Sequence, residues 1–357
     1  MILIDSARQS SILGNYGFYD EARDSAFVTG RAIAKEYSKG DTLYIHGDTI
    51  LTYLDLIDST RVTNAFHNVR IFRFDIQAIC DSLSLTERDS IMHLYRHPVA
   101  WSDNRQIFGN VINVHMADST VDWARLPQTG FMAEHIAEDC YNQISGNDMT
   151  AWFNDSTITR LYVEGNVMLN VFPMESDSTY NKFAYVESSY MDSYFNKNEI
   201  EKVVFWPETT SKITPLYLAK RNAYFLPKFG WYDDIRPRTP GDVFVIPPEM
   251  IELFRTADPI KPEEIQASRQ ATDPNPKAPA PTDLTGSVSD SIAGAPLPTK
   301  LDIDKNLQNS SGQSEIPVRQ PLPADNKSSD QGKTPGITPL PAPVEATDEE
   351  NLGAPLD

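Results

Sequence analysis

The chain has 357 residues, a net charge of −19, 10% aromatic residues and only two cysteines. No basic run or arginine–aromatic stripe offsets that acidity, which excludes a binder that works by neutralising nucleic-acid phosphates and disfavours attachment to an anionic bilayer surface. Cys80 and Cys140 are too few for a disulfide scaffold; they read as small buried hydrophobes, with a single bridge in an oxidising compartment as the alternative.

The N-terminus, Met1-Ile2-Leu3-Ile4-Asp5, lacks the basic and long apolar regions of a signal peptide. Taken literally this points to the cytoplasm; the alternative is a start inside a longer exported precursor. No apolar run is long enough for a membrane-spanning helix. Asp20–Glu36 is the first of three stretches with helical periodicity, and it is interrupted by Gly30. Short runs rich in β-branched and aromatic residues follow: Thr42-Leu43-Tyr44-Ile45-His46, Asn68–Phe74, Val111–Met116 and Asn166–Phe172. Such runs between turn signals predict strands. Met132–Tyr141 is the second helical candidate. Ser188–Phe195 and Lys202–Trp206 read as further strands. An aromatic, proline-rich stretch, Phe225 to Pro240, then leads to the third helical candidate, Pro247–Phe254, whose Pro-Pro-Glu start suits a helix N-terminus.

One internal repeat is plain. Gln106-Ile107-Phe108-Gly109-Asn110 with Asp118-Ser119-Thr120-Val121 returns, 37 residues on, as Gln143-Ile144-Ser145-Gly146-Asn147 with Asp155-Ser156-Thr157-Ile158. Asp-Ser pairs also occur at Asp24, Asp58, Asp89 and Asp177, and most have Gly-Asn or Gly-Asp upstream; the Asp89 unit has Cys80-Asp81 instead. Asp and Ser bond nearby backbone amides and close turns, whereas Gly-Asn tolerates positive φ and suits bends and bulges. Carboxylates that recur in every unit are turn residues; a catalytic acid is needed once. Units of this size cannot bury an apolar face alone and must stack. Alternation gives each strand an inside: Ile112, Val114 and Met116 oppose Asn113 and His115, Val69 and Ile71 oppose Arg70, and Val167, Leu169 and Val171 oppose Asn170. The runs near Phe72, Met168 and Phe172 are apolar on both faces, so another segment must cover them.

The expected fold is therefore all-β, with stacked short-strand repeats forming an open β-jelly-roll or solenoid over 1–206, an aromatic and proline-rich piece over 207–255 capping the last repeat, and a tail over 256–357. All 36 aromatic residues precede the tail, which holds 16 of the 26 prolines. Such a segment cannot offset its chain entropy by burial and is expected to be disordered. Its Pro pairs favour an extended, solvated spacer. The six histidines, His46, His67, His93, His97, His115 and His135, form no metal-binding motif, and neither cysteine belongs to a zinc-spaced pair. No metal, cofactor or catalytic residue is expected.

Several segments together resemble the OstA/LptA proteins of lipopolysaccharide transport, in their Bacteroidetes form. They are Lys39–Thr49, Ala65–Phe72, Gln77–Leu83, Pro98–Trp101 and Asn142–Gly146. The resemblance is strong over about Gly40 to Thr150, weaker from Leu161 to Trp206, and absent from the tail. It implies a periplasmic, non-enzymatic bridge whose apolar groove carries lipopolysaccharide acyl chains. It also implies edge strands that pair with other components of the exporter. The groove candidates are Val69, Ile71, Ile112, Val114, Met116, Val167, Leu169 and Val171. A β-solenoid that binds only protein partners and a polysaccharide-active enzyme are the rival readings.

Overall fold

The computed structural model describes residues 1–257 apart from 38–40, 56–58, 118–119, 155–156, 176 and 198. The expected tail and the turn residues Asp58, Asp118 and Asp155 lie outside the described residues, save Thr256 and Ala257 at the tail's start.

The chain is all-β, with one short α-helix among the described residues. The strands are β1 (Ile2–Asp5), β2 (Ser10–Leu13), β3 (Tyr16–Asp20), β4 (Ser25–Glu36), β5 (Leu43–Leu54), β6 (Arg61–Phe72) and β7 (Gln77–Thr86). Then come β8 (Ile91–Tyr95), β9 (Val99–Ser102), β10 (Arg105–Phe108), β11 (Val111–Ala117), β12 (Thr120–Leu126) and β13 (Gly130–Ala137). The last are β14 (Cys140–Gly146), β15 (Asp148–Asn154), β16 (Thr157–Val171), β17 (Lys182–Asn196), β18 (Glu199–Trp206) and β19 (Thr210–Pro215). Two helical candidates are thus strands: Asp20–Glu36 leads into β4, and Met132–Tyr141 spans β13 and the start of β14. Gly30, which broke the periodicity, sits at a bulge of β4 with φ 69°. The third candidate is α1 (Pro248–Thr256), which buries Met250 and Phe254, one helical turn apart.

All pairings are antiparallel, and they sort into two ladders. The first runs β3, β4, β5, β6, β7, β8, β11, β12, β15, β16, β17, β18. The second runs β1, β2, β4, β5, β6, β7, β9, β10, β13, β14, β16, β17, β19. Strands β4, β5, β6, β7, β16 and β17 belong to both, one half in each. The crossing is a bulge in β4 after Thr29, in β5 after His46, in β6 after Phe66 and in β16 after Glu164. Elsewhere a short break serves, as at Gly109-Asn110 between β10 and β11.

The two punctuation marks of the sequence thus have separate places. Gly14-Asn15, Gly47-Asp48, Gly109-Asn110, Gly146-Asn147 and Gly165-Asn166 stand in the row of corners. Asp24-Ser25 and Asp89-Ser90 stand at the far tips of the first ladder. Asp89 does what a turn carboxylate should: its Oδ1 accepts from the Ile91 backbone N–H at 3.1 Å and from Thr86 Oγ1 at 2.6 Å. Asp81 takes the corner of β7, where the other units have glycine.

The main core lies between the ladders. It combines Val28, Ile50, Leu83, Leu94, Ile112 and Leu161 of the first ladder with Val69, Ile71, Ala78, Ala100, Met132 and Val167 of the second. Each fully buried Val, Leu, Ile or Met side chain here stabilises the fold by about 1.5–3 kcal/mol relative to exposure. A second core sits on the other face of the second ladder, where Ile79, Val99, Trp101, Phe108 and Phe131 meet Leu226, Ile235, Met250 and Phe254.

Residues 216–257 form that cover, here called the strap. The sequence placed a cap on the last repeat over 207–255. Instead, β19 within it extends the second ladder, and the strap runs back across the ladder from rung to rung. Tyr224 and Leu226 meet β14 and β16, Tyr232 meets β10, Arg236 meets β7, and Asp242 and Phe244 meet β6 and β5. The apolar outer faces that needed a cover receive it here: Tyr224 packs edge-on against Phe172 and Phe183, and Met168 joins the second core.

Candidate functional site

Of the eight groove candidates, most are packed core rather than lining of an open groove. Val69, Ile71, Ile112, Val114 and Val167 belong to the main core, and Met116 packs against it. Leu169 is buried and Val171 half-buried, neither within that cluster. Val114 borders an open space in the interior.

That space is an apolar gap of about 90 Å³ between the ladders. Ala124, Leu126, Met149, Ala151 and Leu161 wall it on the first ladder, and Ala100, Ile107 and Met132 on the second. Phe153 and Ile158 near the tips of the first ladder face Ile76, Ser102 and Asp103 at the tips of the second, so the gap leads toward the ladder tips, away from the corners. The alanines among these walls are not marked by sequence, because alanine is a poor strand former and carries no β signal. Ala124 pairs with Ala151, so small inward side chains meet on adjacent strands, and with Ala100 opposite they leave volume unfilled. An apolar cavity of about 150 Å³ admits benzene, so the gap in this conformation is too small for an acyl chain. Its walls include Met132 and Met149, whose unbranched side chains repack readily.

The opposite face of the second ladder carries a line of buried polar side chains that grip the strap. Gln143 is fully buried; its Oε1 accepts from the Leu226 backbone N–H at 2.8 Å, and its Nε2 donates to Tyr224 O at 2.7 Å. Gln106, its counterpart 37 residues earlier, does the same: Oε1 accepts from Tyr232 N–H at 3.0 Å, and Nε2 donates to Gly230 O at 2.5 Å. Asn170 donates to Tyr224 O at 2.7 Å, and Gln77 accepts from Arg236 Nε at 2.8 Å. Arg70, 2% exposed, donates to Ile235 O at 3.1 Å and Asp242 O at 3.0 Å. Burial pushes its pKa down to about 10, with the Asp242 carboxylate opposing the shift, so it stays charged at neutral pH. These bonds satisfy strap backbone groups that would otherwise be buried unpaired.

The histidines are dispersed. His46 Nδ1 sits 2.6 Å from Ala32 O with its ring against Phe244, and His93 Nδ1 is 2.9 Å from Asn113 Oδ1. Burial lowers the pKa of His46 and of His97; the Ala32 carbonyl opposes the shift at His46. Among the described residues no three or more His, Cys, Asp or Glu side chains converge to hold a metal ion. Both cysteines are free; Cys80 is buried in the main core and its thiol pKa is pushed well up by burial, whereas Cys140 is only half-buried. Among the described residues no helix is long and apolar enough to cross a membrane.

A scan against protein-family models found no match to the chain, and a search of curated proteins found no relative.

Proposed function

We propose that this chain is a non-enzymatic lipid-handling module of the OstA/LptA type, sheltering lipopolysaccharide acyl chains in the periplasm on their way to the outer membrane. In this reading the twinned ladders are an open jelly-roll of stacked rungs, and the edge strands at each end pair with other parts of the exporter. The observation that carries it is the apolar gap, walled by both ladders and leading to their tips. Each acyl methylene withdrawn from water contributes about 0.8 kcal/mol. That gain offsets the rearrangement of Met132 and Met149 and the parting of the tips that entry requires. The acidic chain offers no attraction to an anionic headgroup, so the binding energy comes from the apolar interior.

The small volume of the gap favours a second reading, a β-scaffold that binds protein partners through its edges. One experiment separates the two. The full chain is photolabelled with a fatty acid carrying a diazirine, with lipid A as competitor. Labels on peptides containing Ala100, Ala124 and Ala151, displaced by lipid A and lost in Ala151→Phe or Met132→Phe variants that still melt cooperatively, support the lipid reading. Labelling spread over the surface, or unchanged in those variants, leaves only the scaffold.

A further inference from the structure

The corner row between the ladders holds polar features that the acyl gap does not use. Two cavities meet there, one of about 580 Å³ and one of about 460 Å³, and both are bordered by Gln128, Asn147 and Asn166. They share no residue with the acyl gap. The larger opens on the first ladder and is lined by Arg125, Asp148, Glu164, Ser189 and Tyr190. The smaller reaches toward the strap, with Phe108, Phe131, Met168 and Tyr232 as apolar walls and Lys228 at its rim.

We propose that this pair of cavities is a binding site for a neutral oligosaccharide, laid across the amide ridge with sugar units on both sides.

The chemistry of the lining selects that class. A sugar hydroxyl both donates and accepts, and the side-chain amides of Asn and Gln are matched to it because each carries both functions. Asn110, Gln128, Asn147 and Asn166 bring four such amides to neighbouring rungs. Backbone geometry explains only part of this. Gln128 and Asn166 take left-handed φ of 72° and 51°, where asparagine is favoured, but Asn110 and Asn147 do not. The corners at 109 and 146 are instead set by glycine. A Cβ on Gly109 would lie 2.3 Å from Thr129 O, and one on Gly146 would lie 2.2 Å from Val163 Cγ1. Asn147 Oδ1 accepts from Asn166 Nδ2 at 3.2 Å, and its own amino group donates to nothing among the described residues.

Charge and aromatic faces narrow the class further. Arg125 is paired with Asp148 at 3.0 Å, and Glu164 balances Lys228, so the lining is neutral in sum. A phosphorylated ligand would need several converging cations, and the cavities offer only Lys228 at one rim beside the paired Arg125. The aromatic faces suit the weakly positive C–H faces of pyranose rings. The accessible ring is Tyr190, half-buried, which lines the larger cavity and lies parallel to Trp206 at 5.5 Å; Phe108 and Phe131 are buried against each other and only floor the smaller one. An acyl chain has no use for the amides, and this proposal does not rest on the acyl reading.

The test titrates the full chain with maltotriose, cellotriose and triacetylchitotriose, read by calorimetry and by tryptophan fluorescence, with pyrophosphate as the anionic probe. The expected result is millimolar or tighter binding of at least one trisaccharide. Asn147→Ala and Tyr190→Leu should each weaken it at least roughly tenfold without changing the melting temperature or the fatty-acid photolabelling. Tyr217→Ser, on the exposed surface, should bind as the parent does. Three results would overturn the proposal: no trisaccharide binds the folded chain, both ridge variants bind undiminished, or pyrophosphate competes.

Discussion

Arg70 offers the sharpest check on how the strap is held, because the conservative replacement should be the worse one. Its guanidinium lies under the strap, donates to two backbone carbonyls and to Met250 Sδ at 3.2 Å, and has no side-chain carboxylate hydrogen-bonded to it. A pKa lowered from 12.5 to about 10 corresponds to a burial cost of about 3 kcal/mol. Two charge-assisted bonds return about 1.5–3 kcal/mol each. Arg70→Met forfeits both bonds but also removes the burial cost, for a net loss of about 0–3 kcal/mol. Arg70→Lys keeps a charge in the same place, yet a compact ammonium on a shorter reach cannot fork to Ile235 O and Asp242 O together. With the burial cost kept and one bond lost, it should lose about 1.5–3 kcal/mol, more than Arg70→Met for any bond strength below about 3 kcal/mol. Urea unfolding of the full chain measures both, and limited proteolysis within residues 216–246 reports whether the strap has lifted. Arg70→Lys matching the parent or proving more stable than Arg70→Met, or a strap that neither variant exposes, would refute this account of Arg70.

Gly109→Ala should destabilise by about 1–3 kcal/mol or more, because the added carbon meets the backbone oxygen of Thr129, which cannot swing away. Gly146→Ala meets a side-chain methyl of Val163 and should melt higher than Gly109→Ala; the reverse order in thermal melting would contradict the corner geometry. The lowered pKa values of His46 and His97 fix a pH dependence. The unfolded chain, titrating near 6.5, binds protons that the folded chain refuses, so this contribution to stability is complete above that value and drains away as pH falls below it. The urea midpoint should therefore hold steady near about pH 7.5 and decline by about pH 5.5, less steeply in His97→Gln. The depressed carboxylates of Asp177 and Asp242 act in a lower window, where stability is lost as pH falls from their ordinary 3.8. A flat midpoint across the histidine window, or an unchanged slope in the variant, would show that burial at these positions is not felt.

Local chemistry made much of the frame legible in advance. Asp89 and the Gly-Asn pairs mark tips and corners because turn closure and close backbone approach are decided within a few residues. Alternation in Val111–Met116 and Asn166–Phe172 placed the interior faces, since side chains on a strand must point to opposite sides. Even the apolar outer faces near Phe72 and Phe172 announced a missing cover. What filled that place was not legible. The strap docks through Arg70, Gln106 and Gln143, partners as many as 180 residues distant along the chain, and nothing local in a polar residue on a strand says whether water or a carbonyl will face it. The repeated Gln that opens each 37-residue unit was visible as a pattern, but its use as a clamp exists only once the strap lies against it. The gap itself depends on volume: Ala124 against Ala151 leaves space only because their rungs are neighbours. Sequence period determines which side of a strand a residue faces, whereas the fit of facing side chains is a property of distant segments brought together.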